Sequence, residues 1–367
     1  MRNSFLKTAA LALLISIIGI TCIYSSSHKS QDKFWEGISG KQTLWVILSF
    51  IAFIGTSRLN YRRLWDWIYF FYVVILFLLL LVFILGTIRS GAQRWLKFFW
   101  FNFQPSEFAK LITVIFLAKY YSRKSAHDIS PLSFEFGIFR GLVLPFIFIA
   151  FPVAMILQQP DLGSASLLVL TFFVILFVSG VKLRYIFVFM AIGLLCLPVV
   201  WHFLRDYQKE RLIVFLDPNI DPLGAGYTII QSKIAIGSGG FWGKGWLSGT
   251  QSQLNFLPES HTDFIFAAFS EQRGFLGAIC LLTLYYVLSR QALSIGSRTN
   301  DDFAKLLSFG IASLLAIQVF VNIAMNLGFA PVVGIPLPLM SYGGSSMLTT
   351  FIALGILVSI DRRRAVF

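Results

Sequence analysis

Ten apolar stretches, each about as long as a bilayer crossing, constrain this chain more than any other feature. They cover residues 8–24, 42–57, 66–88, 105–121, 139–157, 163–180, 183–203, 262–289, 303–328 and 343–360. A helix needs roughly 20 residues to cross a hydrocarbon core. Every backbone polar group in lipid must pair within its own segment, so such stretches become helices. Hydrophobic residues make up 57% of the chain and charged residues 13%, with a mean hydropathy of +0.76. That composition lies outside the soluble range. The expected fold is an all-α polytopic membrane protein with about ten transmembrane helices. A long extracytoplasmic loop, residues 204–261, separates helices 7 and 8 in this reading. Residues 1–367 then form a single membrane domain, with no room for a large soluble one.

The net charge of +13 would suggest nucleic acid in a soluble protein. Here its distribution is a topology signal. Clusters such as Arg62-Arg63 and Arg362-Arg363-Arg364 fall on short segments that share one side, as the positive-inside rule expects. Both termini are then cytoplasmic, and no nucleic-acid partner is expected. Arg2 and Lys7 precede an apolar run longer than a usual signal-peptide core, so a retained first helix is expected. Cys22, Cys196 and Cys280 each sit within an apolar stretch and read as packing residues. His28, His127, His202 and His261 are scattered, leaving no readable zinc site, and the metal ligands are unknown.

Irregular sequence gathers on the outer side. Residues 204–261 contain eight glycines between Gly224 and Gly249. Within them, residues 227–236 read as a short amphipathic helix that lies on the bilayer surface or packs over the bundle. Pro331, Pro336 and Pro338 prevent regular helix, since each removes a donor. Such backbone at membrane depth lines a cavity or is buried in protein. Ser341 starts the stretch that follows (SYGGSS), on the expected wall of an outward-facing cavity; an ordinary exposed loop is the alternative.

The polar cluster Glu259-Ser260-His261-Thr262-Asp263 stands where the long loop enters an apolar run. An ionisable group at such a mouth is costly to desolvate and points to function. Asp263 reads either as a general base or cation ligand, or as a helix cap. Glu259, His261 and Thr262 favour the first reading, since a cap does not need so many polar neighbours. Glu271 reads as a deeper cavity residue or as a local partner of Arg273. Glu107 and Lys110 are three apart on a helix starting at Pro105, where they can neutralise each other. They form a structural clasp or a cavity lining. Arg94 and Lys97 flank Trp95, as an interfacial anchor or a phosphate clamp. Asp161 caps the next helix or presents a carboxylate to the cavity. Gly237–Gly245 (GSGGFWGKG) fails the phosphate-loop pattern, because Ser238 stands where the first glycine is required.

Several segments resemble motifs of the SEDS family: GAQRW (91–95), QPSEFAK (104–110), QPDLG (159–163), DPLGAGYTIIQSKIAIGSGG (221–240), GKGWLSGTQSQLNFLPESHTDFIFA (243–267) and PVVGIPLPLMSYGGSS (331–346). Within that family the resemblance is to the elongation (RodA-like) branch rather than the division branch. It implies a peptidoglycan glycosyltransferase acting on lipid II, a disaccharide-pentapeptide carried on undecaprenyl pyrophosphate. It places the essential acid on Asp263 and marks Arg94, Glu107, Lys110 and Asp161 as positions lining the outer cavity. It further implies a class B penicillin-binding protein and other elongation-complex proteins as partners, membrane lipids around it, and an inner-membrane location with the active site facing the periplasm. Gln272 departs from the family, whose members often carry a second acid there.

A single displacement at the donor's anomeric carbon needs one base and one stabiliser of the leaving group. Asp263 is the expected base, with Glu259, His261, Thr262 and Ser341 near the substrate. Arg94, Lys110 or a bound divalent cation, magnesium or manganese, would hold the pyrophosphate. Two rival readings fit the same chain. One is a lipid II flippase, in keeping with ten spans, a midmembrane ion pair and the proline-broken segment; the other is a non-enzymatic scaffold.

Overall fold

The computed structural model describes residues 2–27, 37–89, 92–98, 101–122, 139–195, 198, 201–202, 204, 206–224 and 226–363. Cys196, His28 and His127 lie outside the described residues. The helices are α1 (Arg2–Ser27), α2 (Ile38–Arg58), α3 (Arg62–Leu85), α4 (Pro105–Ser122), α5 (Leu144–Gln158), α6 (Leu162–Val178), α7 (Leu183–Leu195), α8 (Asp206–Leu216), α9 (Tyr227–Gly239), α10 (Thr250–Gln253), α11 (Ile265–Ser297), α12 (Asp302–Leu327) and α13 (Gly344–Arg363). A π turn, Phe139–Val143, leads into α5. Each of the ten apolar stretches coincides with one of these helices. Among the described residues, seven helical segments are long and apolar enough to cross a membrane alone, while α6 and α7 are apolar but shorter. Helix α4 carries Glu107, Lys110 and Lys119 within its 18 residues.

Two regions are more ordered than the sequence suggests. Residues expected to be irregular before Pro105 form an antiparallel meander of β1 (Thr87–Arg89), β2 (Ala92–Phe98) and β3 (Phe101–Phe103), with Thr87 opposite Trp95 and Lys97 opposite Asn102. Alternation along β2 buries Leu96 and exposes Lys97. The long loop holds α8, α9, α10 and a 3-10 turn, Pro218–Ile220. Helix α9 buries Ile229, Ser232, Ala235 and Gly239, spaced three or four apart, and exposes Ile234. Its packing face is thus made largely of small residues rather than of its isoleucines. A Cβ on Gly239 would lie 2.2 Å from the Ser270 carbonyl oxygen, so α9 packs backbone to backbone against α11.

The chain forms two compact units. The first comprises residues 1–54, 205–290 and 318–352; the second comprises 55–204, 291–317 and 353–367. The second unit is built around α4, buried along most of its length. Ala109 of α4 joins Ile75 and Leu79 of α3, Ile156 of α5, and Ala165 and Leu168 of α6 in one apolar core. In the first unit, Gly19 of α1 lets Met340 approach, since a Cβ there would sit 2.4 Å from the Met340 carbonyl oxygen. Phe50 and Phe53 stack on each other and each meets Phe351 edge to face, at centroid separations of 6.4 and 6.3 Å.

Helix α11 breaks at Gly274 (φ 64°, ψ −165°). A break orphans backbone groups, which must find partners elsewhere. The glycine-rich segment 240–245 supplies them. Lys244 and Gly245 N–H groups donate to the Glu271 and Gln272 carbonyls at 3.0 and 3.1 Å; Phe275 and Leu276 N–H groups donate to the Gly240 and Phe241 carbonyls at 2.9 and 3.2 Å. Sequence that resembles a phosphate loop is therefore a backbone plug in a helix break.

Candidate functional site

In the first unit, the turn before α11 carries Asp263. Phe264 is the N-cap residue: Ala268 N–H donates to its carbonyl at 3.1 Å. Asp263 thus sits one residue outside the cap position. Phenylalanine offers no capping acceptor, and the Ala267 N–H is taken instead by Asn326 Oδ1 at 3.2 Å. The preceding carbonyls are also held from outside the turn. His261 O accepts from the Tyr342 N–H at 2.9 Å, and Thr262 O accepts from Ser341 Oγ at 2.6 Å. Asp263 O accepts from Asn322 Nδ2 at 2.9 Å and Asn326 Nδ2 at 3.0 Å. Three successive peptide groups are thereby fixed, with the Asp263 residue half-buried.

Glu259 closes the turn. Its backbone is left-handed (φ 49°) and its carbonyl accepts from the Thr262 and Phe264 N–H groups at 3.1 and 3.2 Å. Thr262 Oγ1 donates to Glu259 Oε2 at 2.9 Å. Burial lowers the His261 imidazole below its ordinary value, and the Glu259 carboxylate opposes that shift. His261 faces Tyr342 with ring centroids 5.9 Å apart.

Ser341 corrects its expected place on a cavity wall. It is buried, and its hydroxyl donates to Thr262 O while accepting the Leu337 N–H at 2.7 Å. Its one hydroxyl proton is therefore committed to the backbone, leaving no donor for a phosphate oxygen. Glu271 is corrected as well. Its partner is Lys244 at 2.8 Å, not Arg273, and it also accepts from Thr250 Oγ1, the Gln251 and Ser252 N–H groups and Ser252 Oγ. This fully buried carboxylate caps α10 from a distance instead of lining a cavity.

The second unit gathers Arg94, Gln104, Ser106 and Asp161. Asp161 caps α6 by accepting the Ser164 N–H at 3.0 Å, and it accepts from Ser106 Oγ at 3.1 Å and Gln104 Nε2 at 3.3 Å. Arg94 Nη1 lies 3.9 Å from its Oδ1, and the same guanidinium donates to the Pro160 carbonyl. With 1% exposure, Asp161 takes its capping role and is closed to direct contact. Glu107 and Lys110 are paired at 2.8 Å with their side chains 4% and 2% exposed, so they form the clasp rather than an open lining. Arg94 differs. Its side chain keeps 18% exposure, and its Nε is buried without a hydrogen-bond partner among the described residues. Trp95 and Lys97 follow it on β2, and Gly91 of the same motif lies outside the described residues.

Sequence reasoning missed the amides of α12. Gln318, Asn322 and Asn326 recur every fourth residue on one face, a signal readable in a membrane span. Gln318 donates to the Pro336 carbonyl at 2.9 Å, and Asn322 to the Ile335 carbonyl at 2.7 Å. They satisfy the non-helical backbone that the prolines create. Among the described residues, no three His, Cys, Asp or Glu side chains gather to hold a metal ion.

These elements define an all-α polytopic membrane protein. The chain belongs to the FtsW/RodA/SpoVE family, described as cell cycle protein, whose pattern matches residues 6–366. It is 40% identical over 360 residues to peptidoglycan glycosyltransferase MrdB of Escherichia coli (strain K12), covering 98% of this chain and 94% of that one. Its fold is similar to a chain solved in a study of the structural coordination of polymerization and crosslinking by a peptidoglycan synthase complex. That match has a TM-score of 0.80 and 33% identity, and covers 97% of each chain. It is also similar to the Rod shape determining protein RodA of Thermus thermophilus, with a TM-score of 0.71 and 27% identity, covering 97% of this chain and 96% of that one.

Proposed function

We propose that this chain is a peptidoglycan glycosyltransferase that polymerises lipid II during cell elongation, at the periplasmic face of the bacterial inner membrane. The observation that carries the reading is the clamped turn 261–263, which holds the half-buried residue Asp263 at the mouth of α11. Family membership and the names of the relatives support it.

Asp263 takes the proton from the acceptor sugar's 4-hydroxyl. That oxygen attacks the donor's anomeric carbon, the bond from this carbon to the phosphate oxygen breaks, and undecaprenyl pyrophosphate leaves with the electron pair. One displacement inverts the anomeric centre and requires no nucleophilic side chain, so a lone positioned base suffices. Arg94 is proposed for a phosphate oxygen on its motif position alone, since a guanidinium binds such oxygens bidentately. Magnesium or manganese would offset the negative charge that develops on the leaving group. The similarity to a chain of a synthase complex supports a class B penicillin-binding protein as the crosslinking partner.

Purified lipid II offers the test. Asp263→Asn should fold and bind substrate yet form no glycan polymer, a loss of at least ~10²-fold. Polymerisation at the wild-type rate would remove Asp263 as the base. Lipid movement across liposomes by a wild-type chain that makes no polymer would favour the flippase reading.

A further inference from the structure

We propose that Asn322 and Asn326 are positioning residues for the reaction: their amides set the direction of the Asp263 carboxylate by clamping its carbonyl. The proposal rests on the reading of Asp263 as the base.

Both asparagines are fully buried in α12, one turn apart. Both direct Nδ2 at the same acceptor, Asp263 O, at 2.9 and 3.0 Å. A carbonyl oxygen has two lone pairs, and here each has its own donor. Asn326 then turns its Oδ1 to the Ala267 N–H at 3.2 Å, so one amide bridges the peptide group before α11 and the first turn of α11. Its own backbone is held in turn, with Ser232 Oγ donating to the Asn326 carbonyl at 2.7 Å. Asn322 spans to the Ile335 carbonyl at 2.7 Å and so ties the turn to the proline segment.

Capping α11 would need only one acceptor on Ala267. Two further donors on the Asp263 carbonyl exceed that need. Their effect is to fix the peptide plane that follows Asp263, while Ser341 fixes the one before it. The Cα–Cβ direction of Asp263 is thereby set. A base must come within hydrogen-bond reach of the proton it removes, and small misplacements are costly.

The test uses the full-length chain with lipid II. Asn322→Ala leaves the Asn326–Ala267 cap in place and removes one donor; Asn326→Ala removes the other donor and the cap. Each should lower kcat by ~10–100-fold per folded molecule, the scale of a misplaced reacting group, with KM within about twofold. A purely structural role would lower the folded fraction and leave kcat per folded molecule intact, which overturns the proposal. Should Asn326→Ala fail to fold, Asn322→Ala decides alone. An inactive Asp263→Asn beside a fully active Asn322→Ala sinks the positioning role only. A fully active Asp263→Asn sinks the base itself.

Discussion

Asp263 and Glu271 stand eight residues apart, and hydrogen bonding commits Glu271 to holding the structure. Glu271 accepts from Lys244, Thr250, Gln251 and Ser252, which makes it the tie between α11 and the loop above. Removing one partner of a buried ion pair costs about 3–5 kcal/mol, and the partial exposure of Lys244 favours the lower end. Glu271→Ala should therefore lower unfolding stability in detergent by about 3 kcal/mol; an unchanged unfolding midpoint would contradict the clasp. Sequence alone located both acids and singled out Asp263. The pairing of Glu271 with Arg273 was poor even on spacing, since residues two apart do not share a helix face. Lys244 lies 27 residues upstream, and only folding brings it close. Ser341 and Asp161 have a similar history: their polarity is legible, but their occupied hydrogen-bonding capacity is not.

At the scale of elements, the break in α11 and the plug that fills it depend on glycine at two facing positions. Gly274 occupies a backbone region open in practice to glycine alone, and a Cβ there would lie 2.3 Å from the Gly243 nitrogen. Gly274→Ala should cost at least about 2 kcal/mol, from backbone strain and the clash together. Gly237→Ala provides the contrast. It sits within α9 with open space around its Cβ, so it should be neutral or stabilising by up to about 1 kcal/mol. Thermal unfolding of the two variants in the same detergent compares them directly; equal losses would refute the plug. The abundance of glycine in this loop was visible in the sequence. The pairing of segment 240–245 with 271–276 was not, because backbone hydrogen bonds carry no side-chain signature.

For the molecule as a whole, the lipid environment made most of the architecture legible, while the small sheet of residues 87–103 and the helices within 204–261 were not. The same hydropathy and charge pattern yields the proposed topology. A reporter active only outside the cytoplasm should work when fused within residues 204–261, and a cytoplasmic fluorescent reporter should light up when fused after the last residue. The reverse pattern would invert the orientation. By itself the sequence determined where the spanning helices run, because a bilayer core allows no unpaired backbone and so ties helix to hydropathy locally. It also determined that Asp263 is the acid to test. Tertiary structure alone decided which polar groups are already engaged. Asn322 and Asn326 reach Asp263 across 59 and 63 residues of chain, and a hydrogen bond depends on distance in space, which sequence separation does not encode.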